Sequence, residues 1–441
     1  MTTAPIPGFP AGFRWGVSTS AYQIEGGATA DGRGASIWDT FAHTPGRIID
    51  GSTGDVACDH YHRHREDVAL LAGLGVSAYR FSIAWPRVRP GGTGPVNAAG
   101  LDFYDRLVDD LLAAGIDPVA TLFHWDLPQP LQDAGGWLNR DTAAHFAEYA
   151  DVTAERLGDR VKLWITLNEP FIHLSLGHGT GEHAPGQTLL FDSFPAAHHQ
   201  LLGHGLAVTA LRAHSTAPVA IANNYSPVVR HGDTDADHAA AAAYDALHNH
   251  LFTDPLLGRS YPDGFDPGVV RDGDLAVIAA PLDVLGVNYY NPTGVRAPEE
   301  GSPLPFELVP LEGYPRTAFD WPVVPDGLRT LLVGLRDRYG DALPPIQVTE
   351  GGCAYDDVPD ADGQVPDPDR IAYLDGHLRA VLAAIDEGVD VTGYFVWSLL
   401  DNWEWAEGFT KRFGLVHVDF ATGTRTPKSS YAWYRSQVGR G

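Results

Sequence analysis

"TAAHFAEYADVTAERLGDRVKLWITLNEP", residues 142–170, decides the fold class. In its first half apolar residues, Phe146, Tyr149, Ala150 and Leu157 among them, recur at helical spacing. After Gly158 the pattern changes to a short apolar run holding Trp164, Ile165 and Leu167, which reads as a buried strand. That run stops abruptly in Asn168-Glu169-Pro170. An amide and a carboxylate stand where the strand ends, and a proline fixes the chain directly after them.

The same unit recurs on both sides. Strand-like runs occupy residues 13–22, 76–83, 117–124, 161–169, 217–224, 283–290, 344–350 and 391–400. Helical patterns at 65–75, 101–115, 142–158, 201–215, 327–340 and 371–388 precede most of them. Such alternation implies a parallel sheet. Eight runs over 441 residues imply an α/β fold, a single-domain (β/α)8 TIM barrel over residues 1–441. An open doubly wound sheet is the rival, but the glycine-rich phosphate turn that it usually carries after its first strand is not visible here. Residues 171–198 and 291–325 are long and rich in Gly, Pro and polar residues, so they are expected to cap the C-terminal face as βα loops.

Bulk properties narrow the function. The chain is 44% hydrophobic, enough for a sizeable core, and its net charge of −26 disfavours nucleic acid and anionic membrane surfaces as partners. Two cysteines, Cys58 and Cys353, make no disulfide framework and fit a reducing compartment. The N-terminal stretch 1–13 lacks the basic and apolar regions of a signal peptide, and no 18-residue apolar run exists. A cytoplasmic location is expected, and a homo-oligomer stays open.

Barrel enzymes hold their chemistry at the C-terminal ends of the strands. Gln23 lies just past the first run, and His124, Asn168-Glu169, Asn288 with Tyr290, Glu350 and Trp397 mark the ends of others. Glu169 and Glu350 end the fourth and seventh runs, on opposite sides of a closed barrel's mouth. Two facing carboxyls suit hydrolysis of a glycosidic bond, where one donates a proton and the other attacks or activates water. Like charges at close range disfavour double ionisation and so divide those roles. A carboxylate metal site is the rival, but it wants more Asp, Glu or His at the mouth than the sequence places there. No metal and no cofactor is expected.

These residues lie in motifs that resemble glycoside hydrolase family 1, the β-glucosidase family. "FRWGVSTSAYQIEGG" (13–27), "YRFSIAWPRVRP" (79–90), "LFHWDLP" (122–128), "TLNEP" (166–170), "GVNYY" (286–290), "VTEGG" (348–352), "VWSLLDNWEWAEGF" (396–409) and "KRFGLVHVD" (411–419) stand in the family's order. The resemblance covers essentially the whole chain. It implies a small β-glucoside or oligosaccharide as substrate, Glu169 as acid/base, Glu350 as nucleophile, and retention through a covalent glycosyl-enzyme. Retaining enzymes hold the two carboxyls about 5–5.5 Å apart, too close for an intervening water.

The resemblance further implies that Tyr290 and Arg80 hydrogen-bond Glu350, and that Asn168 holds the sugar 2-hydroxyl. Gln23, His124, Glu404 and Trp405 would hold the remaining hydroxyls, with Asn288 in the substrate-binding set. Trp397 would offer its ring face to the sugar, with Trp125 and Phe413 as further walls. Glu404 would repel a sugar 6-phosphate, so an unphosphorylated sugar is implied. Glu169 argues against the thioglucosidase branch, which dispenses with the acid. Two departures stand out: Gly351 replaces the family's usual Asn after the nucleophile, and Phe171-Ile172 replaces a frequent Trp-Cys. The Gly351-Gly352 pair is expected to loosen the nucleophile loop.

The same chemistry on galactose or fucose is the near alternative, and a non-catalytic sugar-binding barrel is the alternative of another class. Other features read as structural. His60 and His64 are expected at a solvated helix start rather than on zinc, for want of a third ligand. His198, His199 and His204 read as packing or surface, and "HNH" (248–250) as part of a helix. Cys353 reads as inert and buried, and the acidic stretch 355–369 as a solvated lid.

Overall fold

Strands whose residues are apolar almost throughout need cover on both faces, and a closed barrel inside a ring of helices supplies it. The computed structural model describes residues 6–438. The start of the 1–13 stretch, read above for a leader, lies outside them. Eight parallel strands close the barrel in the order β1-β8-β7-β6-β5-β4-β3-β2. They are β1 (Arg14–Ser18), β2 (Ala78–Ser82), β3 (Asp117–Phe123), β4 (Leu163–Asn168), β5 (Val219–Tyr225), β6 (Val284–Tyr289), β7 (Ile346–Gly351) and β8 (Val391–Trp397). Each falls within, or one residue beyond, a run read from the sequence.

The longer helices are α1 (His60–Leu74), α2 (Ala98–Ala113), α3 (Asp141–Leu157), α4 (Phe194–His214), α5 (Asp235–Asp245), α6 (Pro325–Tyr339), α7 (Pro368–Asp386) and α8 (Ser429–Arg435). Inside the barrel Ala78, Val119, Leu163, Ile165, Ala220, Ala222, Val284 and Phe395 form a separate buried cluster. Phe395 fits because Gly16 faces it: a Cβ on Gly16 would stand 2.2 Å from the Phe395 ring.

Register sets the level of the site. Ser18 pairs with both Arg80 and Trp397, and Asn288 pairs with both Asn224 and Glu350. Polar side chains from five strands therefore reach the C-terminal end of the barrel together.

The connections carry more structure than their composition announces. The 171–198 stretch contains a wide π-helical segment, His173–Thr180. Residues Thr293–Arg296 and Glu307–Val309 join Val228–Arg230 in a three-stranded sheet. Helix α5, absent from the sequence reading, starts at a capping box in which Thr234 and Asp237 bond each other's backbone amides.

Two structural expectations are corrected, and a third is refined. His60 and His64 are buried, not solvated: His60 Nδ1 lies 2.8 Å from Asp67 and His64 Nε2 3.2 Å from Asp110. The 355–369 stretch is mostly exposed, as expected, but two of its acids are buried: Asp357 meets Arg370 and Lys428, and Asp367 meets Arg370 and Ser430. Gly351 and Gly352 do not loosen the nucleophile loop, since both are buried against neighbours. A Cβ on Gly351 would stand 2.6 Å from the Tyr394 hydroxyl, and one on Gly352 1.8 Å from the Trp397 carbonyl oxygen.

Candidate active site

The turn after β4 explains the Asn-Glu-Pro sequence. Glu169 sits at φ 42°, in the left-handed region that side chains rarely occupy, and such outliers gather at functional sites. Its N–H donates to the Ala222 carbonyl at 2.7 Å, which ties the strained residue to β5. Pro170 opens the helical turn Pro170–Ile172, where its missing N–H costs nothing. The reversal aims Glu169 into a cavity of about 430 Å³, which Glu350 also lines.

Behind the two acids lies one hydrogen-bond network. Arg80, almost fully buried, donates to Glu350 Oε1 at 2.7 Å, to Asn168 Oδ1 at 2.6 Å and to the Thr349 carbonyl at 3.0 Å. The Tyr290 hydroxyl donates to Glu350 Oε2 at 2.6 Å, so both oxygens of Glu350 are held. On the other acid, Glu169 Oε1 accepts from Asn224 Nδ2 and Asn288 Nδ2, each at 2.9 Å. Two donors occupy Oε1, so the proton of neutral Glu169 resides on Oε2. Asn288 is itself aimed by Thr349 Oγ1, which donates to its Oδ1 at 2.6 Å.

These surroundings separate the two carboxyls. Burial pushes Glu169 up to about 8, and the nearby charge of Glu350 adds to the shift against the opposing amides of Asn224 and Asn288. Burial raises Glu350 as well, but the Arg80 guanidinium and the Tyr290 hydroxyl oppose it. The acid with a cation at 2.7 Å ionises first, and the acid with only amide donors keeps its proton. One carboxyl of the cavity is thus favoured as an anion and the other as an acid.

The sequence profile of Glycosyl hydrolase family 1 matches residues 7–440. The chain belongs to that family. Thermostable beta-glucosidase B of Thermobispora bispora is 51% identical to it, the match covering 98% of this chain and 91% of the relative. The bifunctional beta-D-glucosidase/beta-D-fucosidase of Bifidobacterium breve is 46% identical, with 97% of each chain covered. Among solved structures, the family 1 β-glucosidase of Thermotoga maritima superposes with a TM-score of 0.95 at 44% identity, covering 99% of both chains.

In this family 1 hydrolase the other residues expected from the sequence divide into two groups. His124, Trp125, Tyr290, Trp397, Glu404, Trp405 and Phe413 line the cavity with the two acids. Arg80, Asn168, Asn288 and Gln23 stand behind that wall and hold it. Gln23 Nε2 donates to Glu404 Oε2 at 3.1 Å, while Gln23 Oε1 accepts from Ser20. Burial, and next the charge of Glu350, push Glu404 up to about 8. Asn168 Nδ2 donates to His124 Nε2 at 3.0 Å, and burial keeps His124 neutral, so its proton lies on Nδ1. Trp125 Nε1 donates to the Asn168 carbonyl at 2.8 Å, and the Trp125 and Trp405 rings meet at 4.7 Å. Trp397 packs with Phe413 and Tyr290.

The family 1 site also holds residues that the sequence reading passed over. Asn224 and His248 line it, as do Phe319 and Trp321, whose rings stack at 4.4 Å. Asn224 ends the fifth strand-like run as Glu169 ends the fourth, so the same positional signal was present. His248 lies in "HNH", where the helical pattern masked it. Phe319 and Trp321 belong to the 291–325 connection, where no periodicity marks them.

Proposed function

We propose that this family 1 hydrolase is a retaining β-glucosidase that releases terminal non-reducing β-D-glucosyl residues from small β-glucosides or oligosaccharides. One observation carries the reading: Glu169 and Glu350 share a cavity, and of the two Glu350 is the one hydrogen-bonded by the Arg80 guanidinium, at 2.7 Å. Glu350 attacks the anomeric carbon and forms a C1–O bond as the bond to the departing oxygen breaks. Glu169 Oε2 gives that oxygen its proton. Water then attacks C1, Glu169 takes a proton from it, and Glu350 leaves as carboxylate. Two inversions give net retention. The aromatic walls take the apolar faces of the sugar, and Glu404, held by Gln23, takes hydroxyls. Glu404 also disfavours a phosphorylated sugar by charge.

The test is Glu350→Ala on an aryl β-glucoside. Turnover is expected to vanish and azide to restore part of it, giving the α-glucosyl azide. An undiminished rate in this variant removes Glu350 from the role. A second reading, β-fucosidase activity beside β-glucosidase activity, is favoured by the name of the Bifidobacterium breve relative. Comparing kcat/KM on aryl β-glucoside, β-galactoside and β-fucoside separates the readings. The buried free thiols Cys58 and Cys353 support a reducing, cytoplasmic setting.

A further inference from the structure

We propose that His248, braced by Tyr244, is a positioning residue for Glu169 and acts through the side-chain amide of Asn224. The inference rests on the roles assigned above to Glu169 and Glu350.

Three hydrogen bonds form a chain. The Tyr244 hydroxyl lies 2.9 Å from His248 Nδ1, His248 Nε2 lies 2.8 Å from Asn224 Oδ1, and Asn224 Nδ2 lies 2.9 Å from Glu169 Oε1. Ionised Glu169 allows one polarity along it. A carboxylate only accepts, so Asn224 donates with Nδ2 and turns Oδ1 to His248. His248 then carries its proton on Nε2, and Nδ1 accepts from the Tyr244 hydroxyl. That arrangement needs a neutral imidazole, and burial holds His248 down at about 3.

The ring is fixed from both sides. It lies on the π-helical turn Ala246–His250, which widens the helix after α5, a device that often re-aims side chains at functional sites. Phe171, two residues past Glu169, packs on the imidazole with centroids 4.3 Å apart. Tyr244 is anchored in a satellite core with Val295 and Phe306. The residue that departs from the family's frequent Trp therefore serves here as the seat of His248.

Without the His248 N–H, the Asn224 amide is free to turn and face Glu169 with its oxygen. That orientation repels the carboxylate and favours the acid. Glu169 has to be an acid in the first step and a carboxylate in the second, so the second step suffers more. Glu350, Glu404, Arg80 and Tyr290 also bear on Glu169, and all remain in the variants below.

The experiment compares His248→Phe, His248→Gln, Asn224→Ala and the His248→Phe/Asn224→Ala double variant. One readout is the ¹³C titration of the Glu169 carboxyl, assigned by difference from Glu169→Gln. The other is the pH profile of kcat/KM on an aryl β-glucoside. In His248→Phe, and in Asn224→Ala, the titration and the basic limb are expected to rise by about half a unit to one unit. On dinitrophenyl β-glucoside, whose good leaving group needs little proton donation in the first step, kcat of His248→Phe is expected to fall about tenfold while kcat/KM holds. His248→Gln, which keeps an N–H for Asn224, is expected to titrate as wild type. In the double variant His248→Phe is expected to add nothing to Asn224→Ala.

An unmoved titration in His248→Phe, or a shift that persists in full on top of Asn224→Ala, overturns the proposal. Should His248→Phe fail to fold, an unmoved titration in Asn224→Ala overturns it equally. Absence of wild-type turnover on aryl β-glucosides would instead overturn the catalytic reading, while the ¹³C titration still judges the relay.

Discussion

Glu350 is held at one oxygen by Arg80 and at the other by Tyr290, whose hydroxyl stands 2.6 Å away. Removing that hydroxyl leaves burial less opposed, so Tyr290→Phe raises the pH at which the nucleophile ionises. A hydrogen bond to a charged group is worth about 1.5–3 kcal/mol, so kcat/KM falls about 10- to 100-fold and its acid limb moves up in pH. A pH–rate profile checks both effects, and an unmoved acid limb would count against the role. The other acid sets the opposite limb. Glu169 keeps its proton to about 8, so kcat/KM on a poor leaving group is expected to hold to that pH and to fall above it. At this scale the sequence disclosed residues whose place follows from strand geometry. Glu169, Glu350, His124 and Trp397 stand at or beside strand ends, where a barrel puts its chemistry. The roles of Arg80 and Tyr290 came only from resemblance, because nothing local distinguishes an arginine inside β2. Asn224 was overlooked beside its neighbour Asn223, and His248 because its meaning depends on a three-bond chain across distant segments.

The strands turn those residues into a site, and their close approach can be tested. Gly352 follows β7 directly, and a Cβ there would lie 1.8 Å from the carbonyl oxygen of Trp397 at the end of β8. Backbone at that distance cannot move aside as a side-chain tip would. Gly352→Ala is therefore expected to push the ends of β7 and β8 apart, at a cost of about 1–3 kcal/mol, the range typical of overpacking. Both Tm and kcat should fall, because Glu350 is two residues upstream and Trp397 is a cavity wall. A variant with wild-type Tm by calorimetry and wild-type kcat would show that the approach is tolerated. The barrel strands were legible as short apolar runs between helices, since a strand buried on both faces advertises itself by composition. The connections were not. The strands Val228–Arg230, Thr293–Arg296 and Glu307–Val309 are three or four residues long and partly exposed, so they carry no periodic signal. The π-helical segments His173–Thr180 and Ala246–His250 depart from the 3.6-residue spacing by which helices are recognised.

At the scale of the whole molecule, two groups of buried carboxyls have opposite consequences for stability. Burial raises Asp67 and Asp401, but His60 and Arg425 overcome it for Asp67, as Lys428 and Arg412 do for Asp401, and both end below the usual range. Such groups stabilise the fold above the unfolded value near pH 4, and their contribution is lost as pH falls through the folded value. Glu169 and Glu404 behave in the opposite sense, because burial first, and the charge of Glu350 next, lift both to about 8. Between the unfolded value of about 4.3 and the folded one, the native state binds more protons than the unfolded chain. Stability contributed at these sites therefore declines as pH rises across that window, and above it the deficit is constant. Glu169 and Glu404 are thus a standing cost to the fold at neutral pH, and the proposed mechanism gives the reason for the first of them: that carboxyl has to be an acid there. Replacing that acid with its neutral isostere removes the cost. In Glu169→Gln the side-chain oxygen still accepts from Asn224 and Asn288, and the amide nitrogen takes the place of the protonated oxygen. The variant is expected to be inactive on substrates with poor leaving groups, and yet to melt higher than wild type at pH 8. The difference should shrink as pH falls through about 4, below which wild-type Glu169 is mostly protonated in both states. Calorimetric scans at several pH values decide it, and a Tm difference independent of pH would mean that Glu169 is not held in its neutral form by the fold.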